Sequence, residues 1–184
     1  KNKLGNVFTI EAGYESGRLF KITKGWRGKI PFYSVTQGGG IHMIDLIIWL
    51  TNSYPKKVFA IGNKISTKNS NFKFYDNVTS IIKLSNQITA KINSNFGSVS
   101  PHDHQMRIFG TKGSIFLSQN ELRVFKSRNP KIKEKITKFK SGKSYKLKIF
   151  NKFIESITKR KKFKLISLKE VFASMSTCLY IDKS

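Results

Sequence analysis

Apolar and polar positions alternate in several short stretches of the first 125 residues, and a three-and-four spacing takes over near the end. Residues 7–12, Val-Phe-Thr-Ile-Glu-Ala, read as a strand rich in β-branched and aromatic side chains. Residues 14–37 have no clear period and read as a long polar-aromatic loop, holding Trp26, Arg27, Pro31, Phe32 and Tyr33. An apolar run follows three glycines and predicts a helix over 41–52, closed before Pro55. Residues 58–65 predict the next strand and 66–71 a loop. Residues 77–84 and 88–96 alternate on either side of Ser85-Asn86-Gln87, an antiparallel hairpin. Residues 105–109 and 114–117 flank Gly110-Thr111-Lys112-Gly113, a second hairpin, and 122–125 adds a strand. Residues 126–143 read as a loop or an exposed strand. Leu147, Phe150, Ile154 and Ile157 then mark an amphipathic helix. Ser167-Leu168-Lys169-Glu170 is a capping-box pattern opening a last helix, with Phe172, Met175 and Leu179 as its apolar stripe and Val171 and Cys178 beside them.

These elements assemble into an α+β fold: a mainly antiparallel, open-faced β-sheet with helices packed on one face. The free face must be polar or must bury itself against another chain or domain. With 184 residues and no internal repeat, one domain spanning 1–184 is expected. A single cysteine, Cys178, excludes an internal disulfide framework and suits a reducing, cytoplasmic setting. The longest apolar run, 41–50, is too short to cross a bilayer and contains His42 and Asp45, so no membrane partner is expected. The chain begins with Lys1, which suggests a fragment or a processed product.

Net charge is +25, and residues 126–164 hold sixteen Lys/Arg against Glu134 and Glu155. Such a balance raises nucleic acid as a partner. Lysine far outnumbers arginine, however, and Asn, Ile and Phe are plentiful, the amino-acid bias of an AT-rich coding sequence. Arginine-poor surfaces make generic phosphate contacts with little base readout, so no specific nucleic acid is expected.

Chemistry concentrates at Gly38-Gly39-Gly40-Ile41-His42-Met43-Ile44-Asp45. His42 and Asp45 fall on one helix face, which Trp49 joins. An imidazole there is a natural proton acceptor from an alcohol, and a carboxylate nearby could orient it. The alternative is a core histidine satisfied by a backbone carbonyl. His102 and His104 point to one side of an extended segment. They could ligate a metal with His42 and an aspartate, hold a polar substrate, or cap backbone groups; their spacing matches no strong metal motif, and none is expected. The glycines lack the spacing of a dinucleotide loop, and no serine elbow is present.

The run 38–50, together with Tyr14, Gly17-Arg18, Gly25-Trp26-Arg27-Gly28, Asn95-Phe96-Gly97 and Gly110-Thr111-Lys112-Gly113-Ser114, resembles the C-terminal domain of Gfo/Idh/MocA-type oxidoreductases, in order along nearly the whole chain. The resemblance implies a two-domain NAD(P)-dependent dehydrogenase, with NAD or NADP bound mainly by an N-terminal Rossmann domain outside this chain. It implies that this domain supplies substrate contacts and a homo-oligomer interface through the open sheet, and that the substrate is a sugar, polyol or nucleotide-sugar. His42 matches the family's catalytic histidine. Four residues earlier the family has an aspartate and this chain has Gly38; the family's lysine belongs to the Rossmann domain. His42 then works alone, with Asp45 or with Tyr33. Expected substrate contacts are Arg18, Trp26, Arg27, Tyr33, Gln37, Asp45, His102 and His104. The alternatives are a non-catalytic dimerisation or binding domain and a basic nucleic-acid binder. The isolated chain is expected to be inactive.

Overall fold

The structure, a computed structural model, describes residues 3–118, 120–139, 145–159 and 167–184. Its strands are β1 (Val7–Glu15), β2 (Pro55–Asn63), β3 (Asn77–Leu84), β4 (Thr89–Asn95), β5 (Asp103–Gly110), β6 (Gly113–Ser118), β7 (Glu121–Phe125) and β8 (Lys135–Lys138). Its α-helices are α1 (Phe20–Thr23), α2 (Ile41–Thr51), α3 (Tyr145–Thr158) and α4 (Leu168–Lys183). The strands form one sheet in the order β2-β3-β4-β1-β5-β6-β7-β8. Only the β1–β4 pairing is parallel. The expected α+β architecture, mainly antiparallel with one open face, is the one observed.

Register decides which residues meet the helices. Ala12 pairs with Ile92 and Met106, and Ile10 with Ala90 and Ile108. Paired residues share a face, so this row packs with Val78 and Ile82 against Ile44, Ile47 and Ile48 of α2. Each fully buried isoleucine contributes roughly 1.5–3 kcal/mol of transfer free energy. The opposite face carries Lys91, Glu11 and Arg107 side by side, with Glu11 and Arg107 3.9 Å apart. Toward β2 it becomes apolar, where Phe59, Ile61 and Ile81 stand exposed.

Four expectations need correction. The segment 14–37 is not one open loop: it contains α1 and a 3₁₀ turn, Trp26–Lys29, and its last residues already belong to the next helix. That helix starts before the glycines, which form a π-helical turn, Thr36–Gly40, leading into α2. Ser34 caps it by accepting from the Gln37 amide at 3.1 Å. Its end is set at Asn52, whose φ of 47° is the left-handed conformation that closes helices, ahead of Pro55.

The third correction concerns α4. The capping box is present, with Ser167 accepting from the Glu170 amide and the Glu170 carboxylate accepting from the Ser167 amide. Yet Phe172, Met175 and Leu179 face outward, Phe172 at 67% exposure. The buried face is Ser174, Thr177, Cys178 and Ile181. Small side chains win there because α4 lies close on α2 and the π turn. Ser174 donates to Asp45, and the Cys178 thiol lies 3.9 Å from the Thr36 carbonyl.

The fourth concerns α3, which forms where its spacing predicts, but whose Leu147, Phe150, Ile154 and Ile157 are exposed rather than packed. In the stretch 126–143, residues 135–138 form the exposed strand β8, while 140–143 lie outside the described residues. No helix among the described residues is long and apolar enough to cross a membrane.

Candidate functional site

Tyr14 near the end of β1 and His104 near the start of β5 are direct cross-strand partners. Their parity is that of Ala12 and Met106, so both project from the helix-bearing face. The rings lie 4.8 Å apart, centre to centre. His102 joins them from just before β5, 5.1 Å from Tyr14 and 4.8 Å from His104. Its Nδ1 donates to the Glu15 carbonyl at 3.0 Å, so in the neutral ring Nε2 carries the lone pair. From α2, His42 stacks on Tyr14 at 5.6 Å and 26° and lies 6.3 Å from His104. Phe96 supports Tyr14 at 5.7 Å. All three histidines of the chain thus converge on one tyrosine. Among the described residues, no three His, Cys, Asp or Glu side chains are placed to hold a metal ion.

The glycine turn makes this convergence possible. A Cβ on Gly39 would lie 2.5–2.7 Å from the rings of Tyr14 and Phe96, and one on Gly40 would collide with Ser94. The helix therefore rests directly on β1 and β4, and His42, two residues on, reaches the Tyr14 ring. The glycines serve close packing, without positive φ. Their space is filled by Tyr33, Tyr14, Phe96 and Ser94, so they offer no cradle for a pyrophosphate. The turn therefore does not fit the role of holding a dinucleotide.

Gly38 faces a different neighbour. Its absent side chain makes room for the hydroxyl of Tyr33, which a Cβ there would strike. The Arg27 charge acts on the same phenol, and its guanidinium stacks over the Trp26 ring at 4.6 Å. Burial raises the Tyr33 pKa, and the Arg27 charge works against that rise. Tyr14 behaves alike: burial raises its pKa, and the charges of Arg18 and Arg27 oppose the rise. His102 is pushed down by burial and then by Arg18, against the pull of its bond to Glu15. His104 is pushed down by burial and then by His102 and His42, against the opposing charge of Asp103, which also acts on His102. The site favours neutral His102 and His104 rings.

Arg18, Arg27, Tyr33, His42, His102 and His104 thus come together, with Trp26 at the rim, 62% exposed. Gln37 and Asp45 point elsewhere. The Gln37 amide and the Ser34 hydroxyl both donate to Asp182 at the end of α4, at 2.6 and 2.7 Å. Asp45 accepts from Ser174 at the α2–α4 seam. Both tie helices together. Tyr14 and Phe96, assigned no role by the residues alone, are the floor of the site. The signal for Tyr14 was its parity with Ile10 and Ala12 in β1, which placed it on the helix-bearing face.

A profile of the GFO/IDH/MocA C-terminal domain matches residues 1–116, and the chain belongs to that family. No curated protein matches it. Solved structures share the fold. UDP-N-acetylglucosamine 3-dehydrogenase from Acidithiobacillus ferrooxidans superposes with a TM-score of 0.76 at 18% identity, over 98% of this chain and 54% of that one. Levoglucosan dehydrogenase in complex with NADH and L-sorbose gives 0.76 at 15%, over 99% and 58%. Myo-inositol 2-dehydrogenase from Lactobacillus plantarum gives 0.76 at 12%, over 98% and 55%. The chain spans just over half the length of these enzymes. In fold and family it is a GFO/IDH/MocA C-terminal domain.

Proposed function

We propose that this chain is the substrate domain of an NAD(P)-dependent dehydrogenase that oxidises a hydroxyl of a sugar, polyol or nucleotide-sugar, with His42 as the proton acceptor. The observation that carries this reading is the gathering of His42, His102 and His104 around Tyr14 at the start of α2. His42 is exposed on that side, where a hydroxyl can reach it. The nicotinamide, held by a Rossmann domain outside these residues, supplies the hydride acceptor.

This chain's own part is binding, orientation and proton movement. The sugar hydroxyl donates to the His42 ring, which takes the proton as the alcohol becomes a carbonyl. Tyr14 fixes the ring plane by stacking, and Tyr33 offers a second hydroxyl in the space that a longer side chain at position 38 would use. His102 and His104 are neutral near pH 7 and can donate to or accept from sugar hydroxyls. Trp26 supplies an apolar wall. The exposed Phe59, Ile61 and Ile81 on the open sheet suit a homo-oligomer interface, and a cytoplasmic setting suits the free Cys178.

The decisive experiment is turnover by the full-length protein across a panel of sugars with NAD and NADP, beside the 184-residue chain alone. Activity in the former and silence in the latter is the expected pair. Activity in neither, with an intact fold, would favour a binding or dimerisation domain, the reading supported by the apolar part of the open face.

A further inference from the structure

We propose that the substrate of this site carries an anionic group, a carboxylate or a phosphate, which Arg18 binds with Arg27 and Lys21 beside it. This rests on the proposed function and narrows its substrate class.

Arginine is scarce in this chain, at six of the 35 basic residues. Arg107 and Arg123 are committed to protein carboxylates, Glu11 for the first and Glu121 and Glu134 for the second. Arg18 and Arg27 have no carboxylate partner among the described residues, and both sit at the histidine cluster. Arg18 is held there by backbone geometry. The Ser16 amide donates to the Asn95 carbonyl at 2.8 Å, and Gly17 lies so close to the Ser100 carbonyl that any Cβ would overlap it. Arg18 follows directly and is exposed, and its charge acts on both Tyr14 and His102. Lys21, one turn on, also acts on His102.

The acids nearest in sequence face away. Glu15 and Asp103 are cross-strand partners on the open face, the side opposite Tyr14 and His104. Glu15 accepts from Ser100, and Asp103 accepts from the His104 amide and Gln105. Among the described residues, the substrate side thus presents guanidinium, ammonium, imidazole and phenol groups, and the nearest carboxylate, Asp103, acts on His102 and His104 from a strand position of the opposite parity. A guanidinium fork left without a protein acid matches a planar carboxylate or a phosphate edge.

The test uses the purified intact protein and the assigned imidazole NMR signals of His42, His102 and His104, which report on this site. D-glucuronate, D-glucose 6-phosphate and D-glucose are titrated at matched ionic strength. One or both anions should move the imidazole signals at concentrations at least tenfold below glucose, and the arm that responds tells carboxylate from phosphate. Arg18→Gln, at an exposed position, should erase that advantage, and Arg18→Lys should restore part of it. Equal binding of glucose, or an advantage untouched by Arg18→Gln, overturns the anionic assignment and leaves the sugar site standing. Silence toward all three overturns both.

Discussion

The hydroxyl of Tyr33 lies where a side chain at position 38 would begin. One residue can occupy that space, and in this chain it arrives from the segment before the π turn. Gly38→Ala should therefore cost about 1–3 kcal/mol, the usual penalty for forcing atoms into filled space. Tyr33→Ala should remove most of that penalty. A double-mutant cycle by urea denaturation should give a coupling of about 1 kcal/mol or more. Additive costs would mean that the two residues do not compete for the space.

On the proposed function, His42→Asn should lower kcat of the full-length protein by about 10²–10⁴, the range for a general base. The ring is exposed, so the melting temperature should stay nearly constant. Unchanged turnover would remove His42 from the chemistry.

The histidine cluster also sets a pH dependence of stability. Burial and neighbouring charge lower the pKa of His102 and His104 below 6.5 in the folded chain. As pH falls through 6.5, the unfolded chain takes up protons that the folded rings resist. Stability is therefore full above 6.5 and lost progressively down to the lowered folded values. The urea midpoint should drop between pH 7.5 and 5.5. In His102→Asn/His104→Asn the drop should flatten, and an unchanged slope would mean that other groups cause it.

Burial, and then the charge of Asp182, push the Cys178 thiol up to about 12. Almost no thiolate exists at pH 8, and the side chain is inaccessible. A thiol reagent should react only as fast as the domain opens, and denaturant should accelerate labelling sharply. Prompt labelling of the native protein would show that α4 does not seal the thiol against α2.

The two faces of α4 should respond oppositely to substitution. Ile181→Ala removes a side chain that is 4% exposed and should cost about 2–4 kcal/mol. Phe172→Ser, on the outward stripe, should cost under about 1 kcal/mol. The reverse order would restore the face suggested by hydrophobicity alone.

That face marks where the sequence misleads. Hairpins β3–β4 and β5–β6 were legible because alternation and tight turns are local signals, as was the Ser167 cap. The seated side of α4 was not, because close helix approach favours serine, threonine and cysteine over bulk. His42 stood out by chemistry and position. Its convergence with His102 and His104 depends on the pairing of Tyr14 with His104, ninety positions apart, and no local pattern encodes a long-range register. The glycines were visible, but their purpose needed the rings of Tyr14 and Phe96 beside them.

The central place of β1 bears on how the chain reaches its fold. The strand nearest the N-terminus of these residues is held between β4 and β5, whose last residue is Gly110. Until that point leaves the ribosome, β1 lacks its outer neighbour, while β3 and β4 can already close as a hairpin. Assembly then amounts to inserting an early segment between two later ones. A nascent chain halted before β5 would leave one edge of β1 unpaired, the kind of edge that chaperones cover.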